Sequence, residues 1–285
     1  MAKTSRGVYQ AEGAPVVSPH GPPSTAPIPT ICQRIRSGYH GVWHALTMRV
    51  RWSRGIVREQ PAECLDGLSE FQRVRVSELT KRYHELFELR LGAATALKCY
   101  DYLDLLDQTF ADAGLAVPTG GRVHDVGSAN FWYAAALQAL FRPDCLRGIE
   151  VDGYRLYPNG HSRWDAAQGY VQPFAGADYL VADYADMREE ARTITAWFPF
   201  VTPGPVVAWR LPLTVLAPHR LFASVAANLD KDGLFVMVNH GAEEAAIAAT
   251  YASAAGLSAL HTCLAVPVLR SRPMAPVVSL WRRIR

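Results

Sequence analysis

A stretch of eleven residues near the middle of the chain, Gly121 to Phe131, constrains the fold more than any other. Its sequence is Gly-Arg-Val-His-Asp-Val-Gly-Ser-Ala-Asn-Phe. The pattern predicts a short buried strand that ends near Asp125, a tight turn from Gly127 to Ala129, and the start of an alanine-rich helix. Units of this kind build open parallel sheets, in which ligands bind at the carboxyl ends of the strands.

The composition is that of a globular protein with a sizeable core. Of the 285 residues, 49% are hydrophobic and 19% are charged, which is close to the usual balance. No window offers the roughly 18 to 20 apolar residues that a membrane-spanning helix needs. The start of the chain also lacks the apolar segment of a secretory signal. We therefore expect a cytoplasmic protein without a membrane partner.

The cysteines favour the same compartment and argue against a metal site. There are five of them, and no two form a Cys-x-x-Cys pair. Structural zinc sites and disulfide frameworks both use regularly spaced cysteines, so we expect neither. The residues concerned are Cys32, Cys64, Cys99, Cys145 and Cys263.

Positive charge is concentrated in the first third of the chain. Residues 1–98 contain 14 Lys or Arg and 8 Asp or Glu, and the surplus lies between Arg34 and Arg58. Such a segment could contact nucleic acid or an acidic membrane, or it could be a solvated helix face. The solvated face is the simpler interpretation, so nucleic acid stays an alternative partner that we do not favour.

Helices are predicted before the central stretch. Residues 1–30 are rich in proline and small residues, which favours a disordered tail. Residues 31–116 form a predicted helical region, because apolar residues recur there at helical spacing. Ser69 and Gln72 have the spacing of a capping box, and Gly114 is placed to end a later helix.

From residue 117 onward, predicted strands and helices alternate, which is typical of a doubly wound α/β fold with a mainly parallel sheet. The connection 269–276 is too short for a crossover helix, so the final strand pair is predicted to be antiparallel. The seven predicted strands are 122–126, 146–151, 179–182, 206–209, 234–238, 260–268 and 277–281.

Three carboxylates come at the ends of the first three predicted strands: Asp125, Glu150 and Asp183. The carboxyl ends of parallel strands share one edge, so the three acids predict a nucleotide-type pocket there. Glu150 suits a ribose diol, because a carboxylate accepts from both hydroxyls. Asp183 could accept from an adenine amino group, and Asp125 could favour a cationic amine. The alternative is that each acid is a helix cap or a solvated strand end.

The turn itself argues against a dinucleotide. That fingerprint needs glycines at 127, 129 and 132, whereas the chain has Gly127, Ala129 and Trp132. The third glycine allows tight packing of helix on strand, so tryptophan there favours a ligand without a pyrophosphate. A phosphate-binding P-loop is absent as well, since no Gly-Lys-Ser/Thr follows the turn.

Several of these segments together resemble the class I S-adenosylmethionine-dependent methyltransferases. The resemblance covers residues 117–285 and rests on Asp125–Asn130, Gly148–Glu150, Asp183, Leu229–Gly233 and the terminal strand pair. It implies a catalytic domain with a Rossmann-like seven-stranded sheet in the order 3-2-1-4-5-7-6, its seventh strand antiparallel, after the N-terminal helical extension. It also implies S-adenosylmethionine as the cofactor.

The resemblance implies roles for individual residues. The loop that follows Asp125 would approach the methionine part, Glu150 would hold the ribose, and Asp183 with Tyr184 would flank the adenine. Ala129 and Phe131 replace glycines of the family's first motif. The loop residues concerned are Gly127, Ser128, Ala129 and Asn130.

The sequence is less specific about the residues that would bind the methyl acceptor. The family's Asn/Asp-Pro-Pro-Tyr signature is not present in residues 208–213, after the predicted fourth strand. His240, just past the fifth strand, is the candidate catalytic base, and Arg210 could hold an anionic substrate group. Each could instead be an ordinary polar or paired residue. The aromatic run 197–201 could line an acceptor pocket or pack in the core.

The predicted function is methyl transfer from S-adenosylmethionine to a small molecule. Two alternatives stay open. One is an RNA methyltransferase whose basic segment 34–58 contacts phosphates. The other is a non-catalytic scaffold or regulatory protein that has kept the fold.

Overall fold

The structure is a computed structural model, and it describes residues 27–284. The predicted disordered tail, residues 1–30, therefore lies outside the described residues except for its last four. Residues 27–284 contain no helix that is long and apolar enough to cross a membrane.

One seven-stranded sheet forms the centre of the molecule, with the strand order β3-β2-β1-β4-β5-β7-β6. Neighbouring strands are parallel from β3 to β5, and β7 is antiparallel to both β5 and β6. The predicted fold class and strand order are confirmed. The strands are β1 (Arg122–Val126), β2 (Cys145–Glu150), β3 (Ala177–Val181), β4 (Ala191–Trp197), β5 (Leu229–His240), β6 (Leu257–Leu264) and β7 (Pro276–Arg283).

Eight α-helices accompany the sheet in the described part of the chain. They are α1 (Ile31–Val50), α2 (Glu70–Tyr83), α3 (Ala93–Asp112), α4 (Ala134–Phe141), α5 (Arg163–Val171), α6 (Pro203–Ala208), α7 (Pro218–Asn228) and α8 (Gly241–Ala254).

Helices cover both faces of the sheet because side chains of the strands alternate between them. In β5, Val236 packs in the hydrophobic cluster that contains α3, α4 and α5. Its neighbours Phe235 and Met237 pack in a second cluster with α7 and α8. Two hydrophobic layers therefore enclose one sheet, as a doubly wound fold requires.

The predicted fourth strand, 206–209, was wrong. Most of that segment lies in α6, which has Pro203 in its first turn, and β4 is Ala191–Trp197. Proline is favoured in the first turn of a helix, where its missing amide has no partner to lose. A short apolar run such as Val206–Trp209 does not distinguish strand from helix by periodicity.

The N-terminal helices differ in how deeply they pack. Leu103, Leu106 and Phe110 of α3 lie in the same hydrophobic cluster as α4, so α3 belongs to the core of the sheet domain. In contrast, α1 contains no buried residue. The division of the chain at residue 116 stays a prediction.

Candidate functional site

The loop between β1 and α4 has an unusual backbone. Gly127, Ala129 and Phe131 all have positive φ, at 73°, 51° and 54°. The left-handed conformation is free for glycine and costs roughly 1–2 kcal/mol for other residues. The amides of Gly127 and Ser128 donate to the Ile149 carbonyl at 2.9 and 3.2 Å, so hydrogen bonds to β2 hold the loop against this cost.

Gly148 explains how a phenylalanine is accommodated in that loop. The Phe131 side chain is fully buried and packs over Gly148 of β2, where an added Cβ would lie 2.6 Å from the ring. The missing side chain at 148 thus creates the space that the ring at 131 fills. The phenylalanine and the glycine are both present in the sequence, but the contact between their positions depends on the register of the strands.

Glu150 joins the end of β2 to the loop. Its Oε2 accepts from the Ala129 amide at 2.8 Å, and its Oε1 accepts from the Asp152 amide at 2.9 Å. Burial raises the pKa of Glu150, while Arg163 acts in the opposite direction. Since each carboxylate oxygen has two acceptor positions, both oxygens can take one further hydrogen bond.

A group of charged residues beside Glu150 was missed as part of the site. Asp152 is buried, and its Oδ2 lies 2.6 Å from Arg155 Nε and 3.5 Å from Arg163 Nη1. The Arg163 guanidinium lies 5.1 Å from the centre of the Trp209 ring. Two acids and two arginines therefore lie together here. The sequence alone did not indicate this group because Arg163 is separated from the acids in sequence.

Asp125 lies beneath this edge rather than at its surface. It is fully buried, and it accepts from Tyr133 Oη at 2.6 Å and from Thr195 Oγ1 at 2.5 Å. Thr195 faces Asp125 because β1 and β4 pair in that register. Burial raises the pKa of Asp125 to about 7, against the effect of its two hydroxyl partners.

The structure separates the two residues predicted to flank an adenine. Asp183 lies at the end of β3, where its Oδ1 accepts from the Ala185 amide at 2.9 Å and its carboxylate remains partly exposed. Tyr184 is instead buried in the second hydrophobic cluster, with its hydroxyl 3.2 Å from His124 Nδ1. The Tyr184 ring is therefore packed in the core, and the roles of Asp183 and Tyr184 beside an adenine stay predictions.

Ser128 and Gly127 leave room for a ligand. The Oγ of Ser128 is buried and, within residues 27–284, has no hydrogen-bond partner. An added Cβ at Gly127 would meet no atom within 4 Å. Asn130 is half-buried next to them. An unsatisfied buried hydroxyl beside an open glycine is the arrangement that a bound polar ligand would complete.

Two residues were predicted for the acceptor side: His240 is the last residue of β5, and Arg210 does not follow a strand. The His240 ring stacks on Phe198 at 3.8 Å between ring centres, with 7° between the planes. Because β4 ends at Trp197, Arg210 follows α6 rather than a strand. Its carbonyl accepts from Arg155 Nη2 at 3.0 Å, and a role of its side chain in holding an anionic substrate group stays a prediction.

The aromatic run after β4 is divided between core and edge. Trp197 is buried and stacks on Tyr102 at 3.8 Å, whereas Phe198 and Phe200 are half-buried. Trp132 packs against Tyr102 at 4.8 Å between ring centres, and it borders a cavity of about 250 Å³. Within the described residues, no cluster of three or more His, Cys, Asp or Glu side chains is arranged for a metal.

No protein-family model matches the sequence, and no curated protein matches it. Solved structures do align with the chain. A chain of the complex between the Haloferax volcanii Trm112 methyltransferase activator and its proposed methyltransferase aligns with a TM-score of 0.50 and 11% identity, over 76% of this chain and 99% of that one.

Two further structures align over most of their own length. An S-adenosylmethionine-dependent methyltransferase from Clostridium acetobutylicum has a TM-score of 0.46 and 8% identity, over 74% of this chain and 99% of that one. A TehB-like methyltransferase from Corynebacterium glutamicum has a TM-score of 0.40 and 16% identity, over 65% and 98%. From its strand order and the Haloferax alignment, the chain has the fold of the class I S-adenosylmethionine-dependent methyltransferases.

Proposed function

We propose that the chain is an S-adenosylmethionine-dependent methyltransferase that acts on a small molecule. The observation that carries this proposal is the 2.8 Å hydrogen bond from the Ala129 amide to Glu150. This hydrogen bond joins an acid suited to a ribose diol to a loop that is open at Gly127, and both lie at one edge of the sheet. Ligands bind at this edge in open α/β sheets.

The residues present fit the cofactor. Glu150 has free acceptor positions for two ribose hydroxyls, and the unpartnered Ser128 hydroxyl would bond to the methionine part. Asp183 is exposed enough to accept from the adenine amino group. When bound, S-adenosylmethionine supplies the electrophilic methyl group.

The stacked Phe198 and His240 rings provide a flat surface at the ends of β4 and β5. Such a surface suits an aromatic or otherwise apolar acceptor. Methyl transfer depends mainly on alignment of the acceptor. His240 would take up a proton only from an acceptor that must lose one, such as a hydroxyl.

Isothermal titration with S-adenosylhomocysteine tests the cofactor site. We expect measurable heat and a rise in melting temperature, because a ligand that binds only the folded state stabilises it. The Glu150→Gln variant should bind about tenfold more weakly or worse, since an amide nitrogen cannot accept from a hydroxyl.

Glu243→Gln serves as the matched control, because Glu243 is an exposed acid in the first turn of α8. It should bind like the wild type. Absence of both heat and thermal stabilisation at millimolar ligand would contradict the proposal. Equal affinity of the Glu150 and Glu243 variants would contradict the ribose role alone.

An RNA acceptor is the second candidate. It is favoured by the segment 27–58, which contains six arginines and no Asp or Glu. RNA affinity should then be measurable at low salt and fall steeply as salt is added. We favour the small molecule, so we expect no measurable RNA affinity even at low salt.

A non-catalytic regulator with this fold is the third candidate. It is favoured by Asp125, whose two oxygens are already engaged by Tyr133 and Thr195 inside the protein. Cofactor binding without methyl consumption in any cell extract would support this candidate. The cytoplasmic location stays a prediction in all three cases.

A further inference from the structure

The helix α1 packs against the rest of the protein with its polar side. Ser37 Oγ accepts from the Leu213 amide at 2.8 Å, and His44 Nε2 lies 3.3 Å from the Val151 carbonyl. Gly41 lies close to Pro212, since an added Cβ would be 3.6 Å from its side chain. The half-buried residues of α1 are Gln33, Ser37, His40, Gly41, His44, Thr47 and Met48.

The opposite side of α1 is an exposed apolar stripe. Its members are between 48% and 78% exposed, and they recur every three or four residues, so they lie on one side of the helix. We define the α1 stripe as Ile31, Ile35, Tyr39, Val42, Trp43, Leu46 and Val50. An amphipathic helix normally buries its apolar side. In α1 the polar side faces the protein and the apolar side faces outward.

The α1 stripe is presented on a well-anchored helix. Thr30 and Gln33 form a capping box at its start, and Arg51 ends it in the left-handed conformation. In the segment that follows, Trp52 Nε1 donates to the Gly160 carbonyl at 3.0 Å, and the Arg54 amide donates to Asp165 at 3.0 Å. The helix therefore begins at a defined cap, and the segment that follows it is held to the rest of the molecule.

Positive charge surrounds the α1 stripe. Residues 27–58 contain six arginines and no acidic residue. Arg34 and Arg36 are about 200° apart around the helix axis, so they lie on opposite flanks of the stripe. An apolar stripe between cationic flanks is typical of helices that lie in the plane of a membrane surface.

We propose that α1 binds the surface of a bilayer that contains anionic lipids. The α1 stripe would enter the boundary between headgroups and acyl chains, and the arginines would contact lipid phosphates. This inference departs from the expectation of no membrane partner, and it is independent of the proposed enzymatic activity. The helix would lie on the membrane rather than span it.

Two other occupants fit the same surface less well. Single-stranded RNA would stack on Tyr39 and Trp43, but nucleotides gain little from aliphatic side chains such as Ile35 and Leu46. A second copy of the chain would place arginines against arginines, because residues 27–58 contain no acid to neutralise them. An anionic lipid surface would both bury the aliphatic side chains of the α1 stripe and neutralise the arginines.

Vesicle flotation of the full chain tests the proposal. The wild type should float with phosphatidylcholine vesicles that contain phosphatidylglycerol, and less with phosphatidylcholine alone. The double variant Val42→Glu/Leu46→Glu should bind about tenfold more weakly or worse, because it removes apolar area and adds charges of the wrong sign. Both residues are exposed, so the variant should fold, as circular dichroism will verify.

The matched control is Phe71→Glu/Val74→Glu, which makes the same change at two exposed apolar residues of α2. It should float like the wild type. Replacing Arg34, Arg36 and Arg49 by glutamine should weaken binding to the phosphatidylglycerol vesicles while leaving the residual binding to phosphatidylcholine alone nearly unchanged.

Several outcomes would overturn the proposal. One is a wild type that does not float with phosphatidylglycerol vesicles at low salt. Another is equal flotation of the two double variants. A dimer that Val42→Glu/Leu46→Glu converts to monomers would assign the α1 stripe to a second copy. RNA binding that this variant abolishes, without vesicle binding by the wild type, would assign it to nucleic acid.

Discussion

Asp125 shows how a single residue can be placed correctly in the fold and still occupy an unexpected environment. It is the penultimate residue of β1, and it is fully buried and bonded to Tyr133 and Thr195. An acid whose pKa is raised binds its proton more tightly in the folded state than in the unfolded state. Folding stability therefore falls as the pH rises from the unfolded pKa, near 4, to the folded value of about 7.

The variant Asp125→Asn should consequently be more stable than the wild type above neutral pH. Asparagine cannot ionise, and its oxygen can accept from one of the two hydroxyls while its amide nitrogen donates to the other, so we expect a gain of roughly 2–4 kcal/mol at pH 8 and much less at pH 5. Urea unfolding at the two pH values measures it. Asp112→Asn, an exposed acid at the end of α3, should show no such dependence, and a gain at Asp125 that is independent of pH would refute this explanation.

The contact between Phe131 and Gly148 gives a second prediction. Gly148→Ala should lower the free energy of unfolding by about 1–3 kcal/mol, because the methyl group would overlap the buried ring. It should also weaken S-adenosylhomocysteine binding by displacing the loop. Gly204→Ala is the control, since an added Cβ there meets no atom within 4 Å; similar stability losses in both variants would show that the ring contact is unimportant.

At the scale of secondary structure, α2 is held to α3 by two buried acids, Asp104, which accepts from Arg75 at 2.6 Å, and Asp107. Asp107 accepts from Arg75 at 2.8 Å, from Arg82 at 2.6 Å and from Tyr83 at 2.5 Å. All three donors lie on α2, whose only buried residue is Leu79. Polar contacts thus supplement the limited apolar packing of α2, which Leu79, Val76 and Tyr83 provide.

We expect Asp107→Ala to cost about 3 kcal/mol or more, because it leaves the partly buried Arg75 without one of its partners. Thermal unfolding and limited proteolysis within α2 would detect the change. Glu78→Ala removes another partner of Arg75, but at an exposed position, so its cost should stay below about 1 kcal/mol. Equal costs for the two variants would contradict this view of α2.

Most elements followed from the sequence, and the exceptions share a cause. The loop after β1 and the capping box at Ser69 depend on local chemistry, and both lie where they were predicted. The strand β4 was missed because Thr193 and Thr195 are polar residues in a strand that is buried except for Arg192. Their burial depends on neighbouring strands, which no local pattern reveals.

The candidate site was predictable only in part for the same reason. The positions of Asp125, Glu150 and Asp183 at strand ends followed from the alternation of elements. The inward direction of Tyr184 and the approach of Arg163 to Glu150 depend on tertiary packing. The periodicity likewise predicted an apolar side for residues 31–50, but it does not indicate that this side faces outward.

At the scale of the whole molecule, α1 is an attachment to a core that is complete without it. No residue of α1 is buried, whereas α3 contributes Leu103, Leu105, Leu106 and Phe110 to the main hydrophobic cluster. The two helices have the same length but contribute very differently to the fold.

Deletion of residues 1–50 should therefore leave a folded, cooperative protein. We expect a loss of less than about 2 kcal/mol in the free energy of unfolding, since only surface contacts disappear. Urea unfolding measures it, with deletion of residues 1–26 as the control. An aggregated or molten product would show that α1 is part of the folding unit.

The hydrogen bonds around the loop after β1 have a further consequence for the rate and the entropy of ligand binding. Ala129 is held through its amide by Glu150 and through its carbonyl by Tyr179, and Phe131 is held by its buried ring. A glycine-rich loop would lose backbone freedom when a ligand orders it, whereas this loop has lost that freedom on folding. Association should therefore proceed in one kinetic step, without a slow ordering phase, and with a small entropic penalty.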